Sequence, residues 1–150
     1  TAGNSPAMAD GAALTLIGDE SLRNEGLQPR AKFVDAVSIC GNPLEVISGC
    51  AVATQQLMKK CGLSSMSVDL FELHEAFAAT TIKCQRDLDV DSDKLNVNGG
   101  VIALGHPMGA TGAMLVGTLV DELERRDLQT GIVAASGAGG TGTALLIERV

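Results

Sequence analysis

Asn96-Val97-Asn98-Gly99-Gly100-Val101-Ile102-Ala103-Leu104-Gly105-His106-Pro107-Met108-Gly109-Ala110-Thr111-Gly112 is the most informative run in the chain. It brings one histidine to the mouth of a helix inside a nest of glycines. Gly99, Gly100 and Gly105 admit backbone angles closed to other residues and let a ligand come close. Pro107 lacks an N–H and suits a first helical turn. From Gly109 the sequence reads as a helix, Ala110 to Arg126, whose start offers free N–H groups and positive partial charge beside His106. That field favours an uncharged imidazole, able to take a proton from a nucleophile or donate one to an oxyanion. The plainer reading is a Gly-rich turn with a structural histidine, so the rest of the chain has to decide.

Working outward, the helix is apolar nearly all round in its first half, with Ala113, Met114, Leu115, Val116, Leu119 and Val120. A helix of that kind is expected to be buried on several sides and to want a second covering layer. Before it, apolar runs predict strands at Ala12–Ile17, Ala31–Cys40 and Val68–Leu73. After it, Gly131–Ser136 and Thr143–Ile147 read as strands joined by Gly137-Ala138-Gly139-Gly140-Thr141-Gly142. A last pair joined so closely is most simply antiparallel. Between the strands lie a polar helical turn, Glu20–Glu25, closed by Gly26, a helix from Val52 to Cys61 ending at Gly62, and a helix from Glu75 to Leu88. That last helix is expected to turn Phe77, Ala78, Ile82 and Cys84 inward. The expected fold class is α/β: one domain over residues 1–150, a mixed five-stranded sheet covered by helices.

The 150 residues suffice for one domain with a core. Aromatic residues are 2%, with no Trp or Tyr, so that core must be built from Ala, Val, Leu, Ile and Met. A net charge of −7 argues against nucleic acid and against anionic membrane surfaces, both of which call for a basic patch. No apolar run approaches the ~20 residues of a membrane span. No signal peptide is visible, and Arg149-Val150 is not a peroxisomal address, so the expected location is cytoplasmic. Thr1-Ala2-Gly3-Asn4 has no initiator Met and reads as though cut from the middle of something longer. Cys40, Cys50, Cys61 and Cys84 show no C-x-x-C spacing, so neither a zinc site nor a redox motif is expected. Cys50 and Cys61 share a helical stripe ~16 Å apart, too far to bridge. All four are read as reduced core thiols.

Three loops stand at strand ends, where α/β folds bind ligands: Leu73-His74-Glu75-Ala76-Phe77, Gly105-His106-Pro107 and Ala135-Ser136-Gly137-Ala138. Both histidines of the chain occupy such loops. With Ser136 they suggest a His-His-Ser cluster around a Gly-rich oxyanion pocket. A Ser-His-Asp hydrolase fits poorly, because Ala-Ala-Ser-Gly-Ala is not a G-x-S-x-G elbow. The Gly-Ala-Gly-Gly-Thr-Gly loop leads into a strand rather than a helix, which weakens a nucleotide fingerprint. A metal on His74 and His106 has only Glu75 as a third ligand, and no metal is expected.

These residues resemble the C-terminal half of the thiolase family, coenzyme-A-dependent acyltransferases. Asn96–Gly112 is similar to the family's Gly-His-Pro signature at every defining position, Thr1-Ala2-Gly3-Asn4 to the opening of its second half, His74-Glu75-Ala76-Phe77 to its Asn-Glu-Ala-Phe block with histidine for asparagine, and Ser136–Gly142 to its Cys-x-Gly-Gly-Gly-x-Gly loop. The resemblance implies that His106 activates a cysteine nucleophile and, with His74, holds the thioester oxygen. It implies that the Ala138 N–H serves a second oxyanion hole, that Gly137, Ala2 and the loop to Pro6 border coenzyme A, and that Phe77 walls the acyl pocket. The implied reaction is thiolysis of a 3-ketoacyl-CoA, or the reverse Claisen condensation, within fatty acid and lipid metabolism. Acyl-CoA is then substrate, no cofactor is bound permanently, and the partner is a thiolase N-terminal half or a second copy.

Two departures stand out. The family's nucleophilic cysteine belongs to an N-terminal half that this sequence does not contain. Ser136 stands where the family carries the cysteine that shuttles the α-carbon proton, and position 76, used by some relatives instead, is alanine. An alkanol is a far weaker acid than a thiol of pKa ~8.5. The alternatives are therefore a non-catalytic, thiolase-like CoA-binding or assembly subunit, and a plain α/β domain without a site.

Overall fold

The computed structural model describes residues 1–45 and 47–150. Four strands form one mixed sheet among them: β1 (Ala31–Cys40), β2 (Leu70–Leu73), β3 (Thr130–Ser136) and β4 (Thr141–Arg149), in the order β1-β4-β3-β2. β4 runs antiparallel to both β1 and β3, while β2 runs parallel to β3. The antiparallel final pair is as the short Gly-rich loop implies. The register, Ser136 opposite Gly142 and Ala134 opposite Ala144, puts the start of that loop at the sheet's upper edge.

The expected fifth strand at Ala12–Ile17 does not form. Leu14, Leu16 and Ile17 are 100%, 79% and 76% exposed, and the run has no ladder partner. An apolar run becomes a strand only by pairing, and this one pairs with none of the four strands. The sheet is thus four-stranded, not five-stranded.

Alternation along the strands serves two helical layers. Ile132, Ala134, Ala144, Leu146, Phe71 and Leu73 face α1 (Gly49–Cys61) and α2 (Ala78–Leu88). Leu70, Val133 and Ile147 face the long helix that follows the Gly-rich run. Counting the short α3 (Val101–Leu104), that helix is α4 (Thr111–Arg125). It starts later than the sequence suggests, because Met108–Ala110 forms a 3-10 turn first. α4 buries one stripe, Leu115, Leu119, Val120 and Leu123, whereas Ala113, Met114 and Val116 are half-buried and Gly112 and Gly117 are exposed. It is covered by the sheet on one side only, so burial on several sides is not seen.

α2 begins at Ala78 rather than Glu75 and presents Cys84 and Leu88 inward. Phe77 and Ile82, expected on that face, are 42% and 48% exposed. The thiols also divide: Cys50 and Cys84 are buried, Cys61 is half-buried and Cys40 is exposed, so only two are core thiols.

The start of α1 lies against β4 with no room to spare. A Cβ at Gly49 would sit 2.1 Å from the Thr141 carbonyl oxygen, and one at Gly142 would sit 2.0 Å from the Gly49 carbonyl oxygen. Backbone cannot give way as a flexible side chain can, so these two glycines fix where α1 starts relative to the Ser136 loop.

Candidate active site

His74 follows directly on β2. Its N–H donates to the Ala134 carbonyl at 2.8 Å, so the ladder with β3 carries it one residue beyond the strand. Asn96 holds the same strand end: Leu73 N–H donates to its Oδ1 at 2.7 Å, and its Nδ2 donates to the Leu73 carbonyl at 3.0 Å. The side chain thereby imitates a neighbouring strand's peptide. Nδ2 also reaches Glu75 Oε1 at 3.2 Å, and Glu75 Oε2 accepts the Ile102 N–H at 3.0 Å. Glu75 thus ties the His74 loop to the first turn of α3. Gly100 makes room for it, since a Cβ there would lie 2.3 Å from Glu75 Cδ.

α3 ends at Gly105, whose φ of 91° turns the chain toward His106. The N-terminal segment runs beside it: His106 N–H donates to the Ala7 carbonyl at 2.8 Å, and Ala9 N–H to the His106 carbonyl at 3.4 Å. This brings the loop from Ala2 to Pro6 within a few residues of His106 along the chain's own path. The His106 Nδ1 lies 2.7 Å from Thr111 Oγ1, the first residue of α4, which is itself buried. A hydroxyl can donate to that nitrogen or accept from it, so Thr111 supports either neutral tautomer.

The two imidazoles meet. Their ring centroids are 4.6 Å apart with planes tilted by 39°. His74 is 8% exposed, and neither of its ring nitrogens has a hydrogen-bond partner. Burial first, and then the adjacent His106 ring, hold His74 below the ordinary imidazole pKa. A neutral, unpartnered and buried ring is primed to bond a ligand. Both rings line an open cleft of about 300 Å³ with Thr111, Ala135 and Ser136.

Ser136 ends β3. Its Oγ accepts the Cys50 N–H at 2.9 Å. Ser48, the residue before α1, makes no side-chain cap and instead donates to the Glu45 carbonyl at 2.8 Å. Ser136 therefore caps α1 from the end of β3. Beyond it, Cys50 Sγ lies 3.0 Å from Cys84 Sγ. The hydrogen bond between them holds the Cys50 thiol below its ordinary pKa and drives that of Cys84 above.

The structure thus brings His74, His106 and Ser136 to one cleft. Gly137 and Ala138 follow Ser136 in the turn after β3, with Ala138 exposed; neither they nor Phe77 line the cleft. Thr111, Asn96 and Cys50 carry no weight in the sequence reading; Thr111 alone had a local signal, a hydroxyl five residues after the histidine. Among the described residues, no group of three or more His, Cys, Asp or Glu is placed to hold a metal ion. Nor is any helix long and apolar enough to cross a membrane.

The tilted histidine pair thus stands at the end of β2, beside the Gly-rich loop and in the cleft that Ser136 borders. Residues 27–149 match the family model described as "Thiolase, C-terminal domain". The chain is 44% identical to a 3-ketoacyl-CoA thiolase of Photorhabdus laumondii subsp. laumondii and 42% identical to one of Klebsiella pneumoniae subsp. pneumoniae. Each alignment covers 100% of this chain and 40% of the relative. The crystal structure of the Bacillus anthracis acetyl-CoA acetyltransferase superposes with a TM-score of 0.92 at 39% identity, covering 100% of this chain and 38% of that one. The chain belongs to the thiolase family and spans about two fifths of the length of these relatives.

Proposed function

We propose that this chain supplies the histidine-bearing part of a thiolase-type acyltransferase acting on acyl-CoA thioesters, in thiolysis of 3-ketoacyl-CoA or the reverse condensation. The observation that carries this reading is the His74–His106 pair, at 4.6 Å, with both His74 nitrogens unpartnered in a cleft bordered by Ser136. His106 takes the proton of a cysteine nucleophile through Nε2, with Nδ1 braced on Thr111. His74 and His106 then hold the thioester oxygen as negative charge develops on it, and the Ala138 N–H serves the second oxyanion. Ala2, Pro6 and Gly137 border the pantetheine arm, and Phe77 reaches the acyl chain from the rim. The nucleophile comes from an N-terminal half, in the same cytoplasmic assembly. No resident cofactor or metal takes part; coenzyme A enters and leaves as substrate.

The test is acetoacetyl-CoA thiolysis. The pure 150-residue chain is expected to show none, because without the nucleophile no acyl-enzyme forms. Joined to a thiolase N-terminal half it should turn over, and His106→Ala should remove that activity. Turnover by the chain alone overturns this account. Coenzyme A binding without turnover by the joined protein supports instead a non-catalytic assembly subunit, the reading that Ser136 favours.

A further inference from the structure

Claisen chemistry, on the acyltransferase reading above, needs a group that removes a proton from the α-carbon and later returns it. Ser136 cannot hold that proton alone, since an alkoxide is too costly near neutrality. We propose that Cys50 acts through Ser136 as the proton store, so that a hydroxyl in the cleft and a thiolate behind it do the work of one thiol.

Four observations place Cys50 for this role. It is the second residue of α1, where free N–H groups and the helix field favour an anion. Its own N–H already donates to Ser136 Oγ at 2.9 Å, which leaves the hydroxyl proton free to turn toward sulfur or cleft. Cys84 Sγ lies 3.0 Å from the Cys50 sulfur, close enough to serve as its hydrogen-bond donor. Both cysteines are 1% exposed, so bulk water does not compete for the proton. At 3.0 Å the two sulfurs are closer than packing alone would bring them, and the hydrogen bond between them holds the Cys50 thiol below its ordinary pKa.

The step balances within the chain. The substrate C–H bond breaks and its electron pair stays on the substrate as an enolate, whose oxygen is held by His106 and His74. The proton passes to Ser136 Oγ while the Ser136 hydroxyl proton passes to Cys50 Sγ, turning thiolate into thiol. In the reverse direction both protons run back. Cys50 touches no substrate atom; it acts as a positioning and storage group for Ser136.

The test uses the chain joined to an N-terminal half that carries the nucleophile. Acyl transfer is read as coenzyme A release on mixing with acetyl-CoA, a step that needs no α-proton. Proton removal is read as deuterium uptake at the α-carbon in D2O. Cys50→Ala and the near-isosteric Cys50→Ser are expected to slow exchange at least tenfold relative to acyl transfer, within the range of general acid–base help. Cys84→Ala should slow it less, by removing only the supporting donor. Ser136→Cys should restore exchange in the Cys50→Ala background, because the thiol then stands in the cleft itself. Unchanged exchange in Cys50→Ala, an equal fall of exchange and acyl transfer, or failure of Ser136→Cys to rescue each overturns the proposal. Absence of acyl transfer in the parent protein overturns the acyltransferase reading, and this proposal with it.

Discussion

Glu72 is a carboxylate buried between the sheet and α4, and changing it to glutamine should stabilise the chain in alkaline solution. It lies on the β2 face shared with Leu70, is 2% exposed, and its Oε2 has no hydrogen-bond partner. Burial first, then the charges of Glu75 and Glu122, push its pKa from 4.5 up to about 8. The folded chain therefore keeps a proton that the unfolded chain releases above pH 4.5. Stability is then fully present below the unfolded value and is lost as pH rises toward 8. Each pH unit in that window removes roughly 1 kcal/mol, so on the order of 3 kcal/mol disappears between pH 5 and pH 8. Glutamine keeps the shape and cannot ionise. Urea unfolding of both proteins at pH 5 and pH 8 measures the effect. Glu72→Gln should unfold within ~1 kcal/mol of wild type at pH 5 and be roughly 3 kcal/mol more stable at pH 8. The comparison cancels His74, whose pKa is lowered by burial and whose slope runs the other way. An equal loss of stability from pH 5 to pH 8 in both proteins would refute the reasoning.

Native titration with a thiol reagent should modify Cys40 first and Cys61 more slowly, leaving Cys50 and Cys84 unreacted until the chain unfolds; rapid loss of all four thiols would contradict the burial described. Gly142→Ala should cost ~3 kcal/mol or prevent folding, because the new Cβ meets backbone at 2.0 Å; a melting temperature within 2 °C of wild type, about the resolution of a ~0.5 kcal/mol change, would show that α1 slides freely. The chain alone should associate, since Met8, Leu14, Leu16, Ile17, Leu104 and Met108 are all exposed; a compact monomer in sedimentation, without dye-binding apolar surface, would count against it.

The sequence is most legible where chemistry and backbone geometry are local. His106 between Gly105 and Pro107, and His74 at the end of an apolar run, declare themselves because a strand end or helix mouth is set by near neighbours. The antiparallel return from β3 to β4 is legible for the same reason. Ala12–Ile17 misleads because an apolar run carries only half of a strand's definition; the other half is a partner, which no nearby residue reveals. Phe77 and Ile82 mislead because helical spacing marks a stripe without saying which stripe faces the sheet, and Cys84 and Leu88 settle that through contacts with α1 and β2. The link from Cys50 to Ser136 joins residues 86 positions apart. Nothing local to either one announces it, and only the abutment of α1 on β4 brings it about.

That abutment has a consequence for how the chain tolerates change. The first turn of α1 is clamped by backbone against Thr141 and Gly142, whereas its last turn ends at Gly62, a left-handed residue with open space where a Cβ would be. Length added to the helix must therefore be absorbed at the Cys61 end, where Leu63 to Ser67 leads into β2. A residue inserted between Gly49 and Cys50 would rotate Cys50 by about 100° and carry its amide away from Ser136. The outer layer is in this sense a pointer, free at its tail and held at its tip.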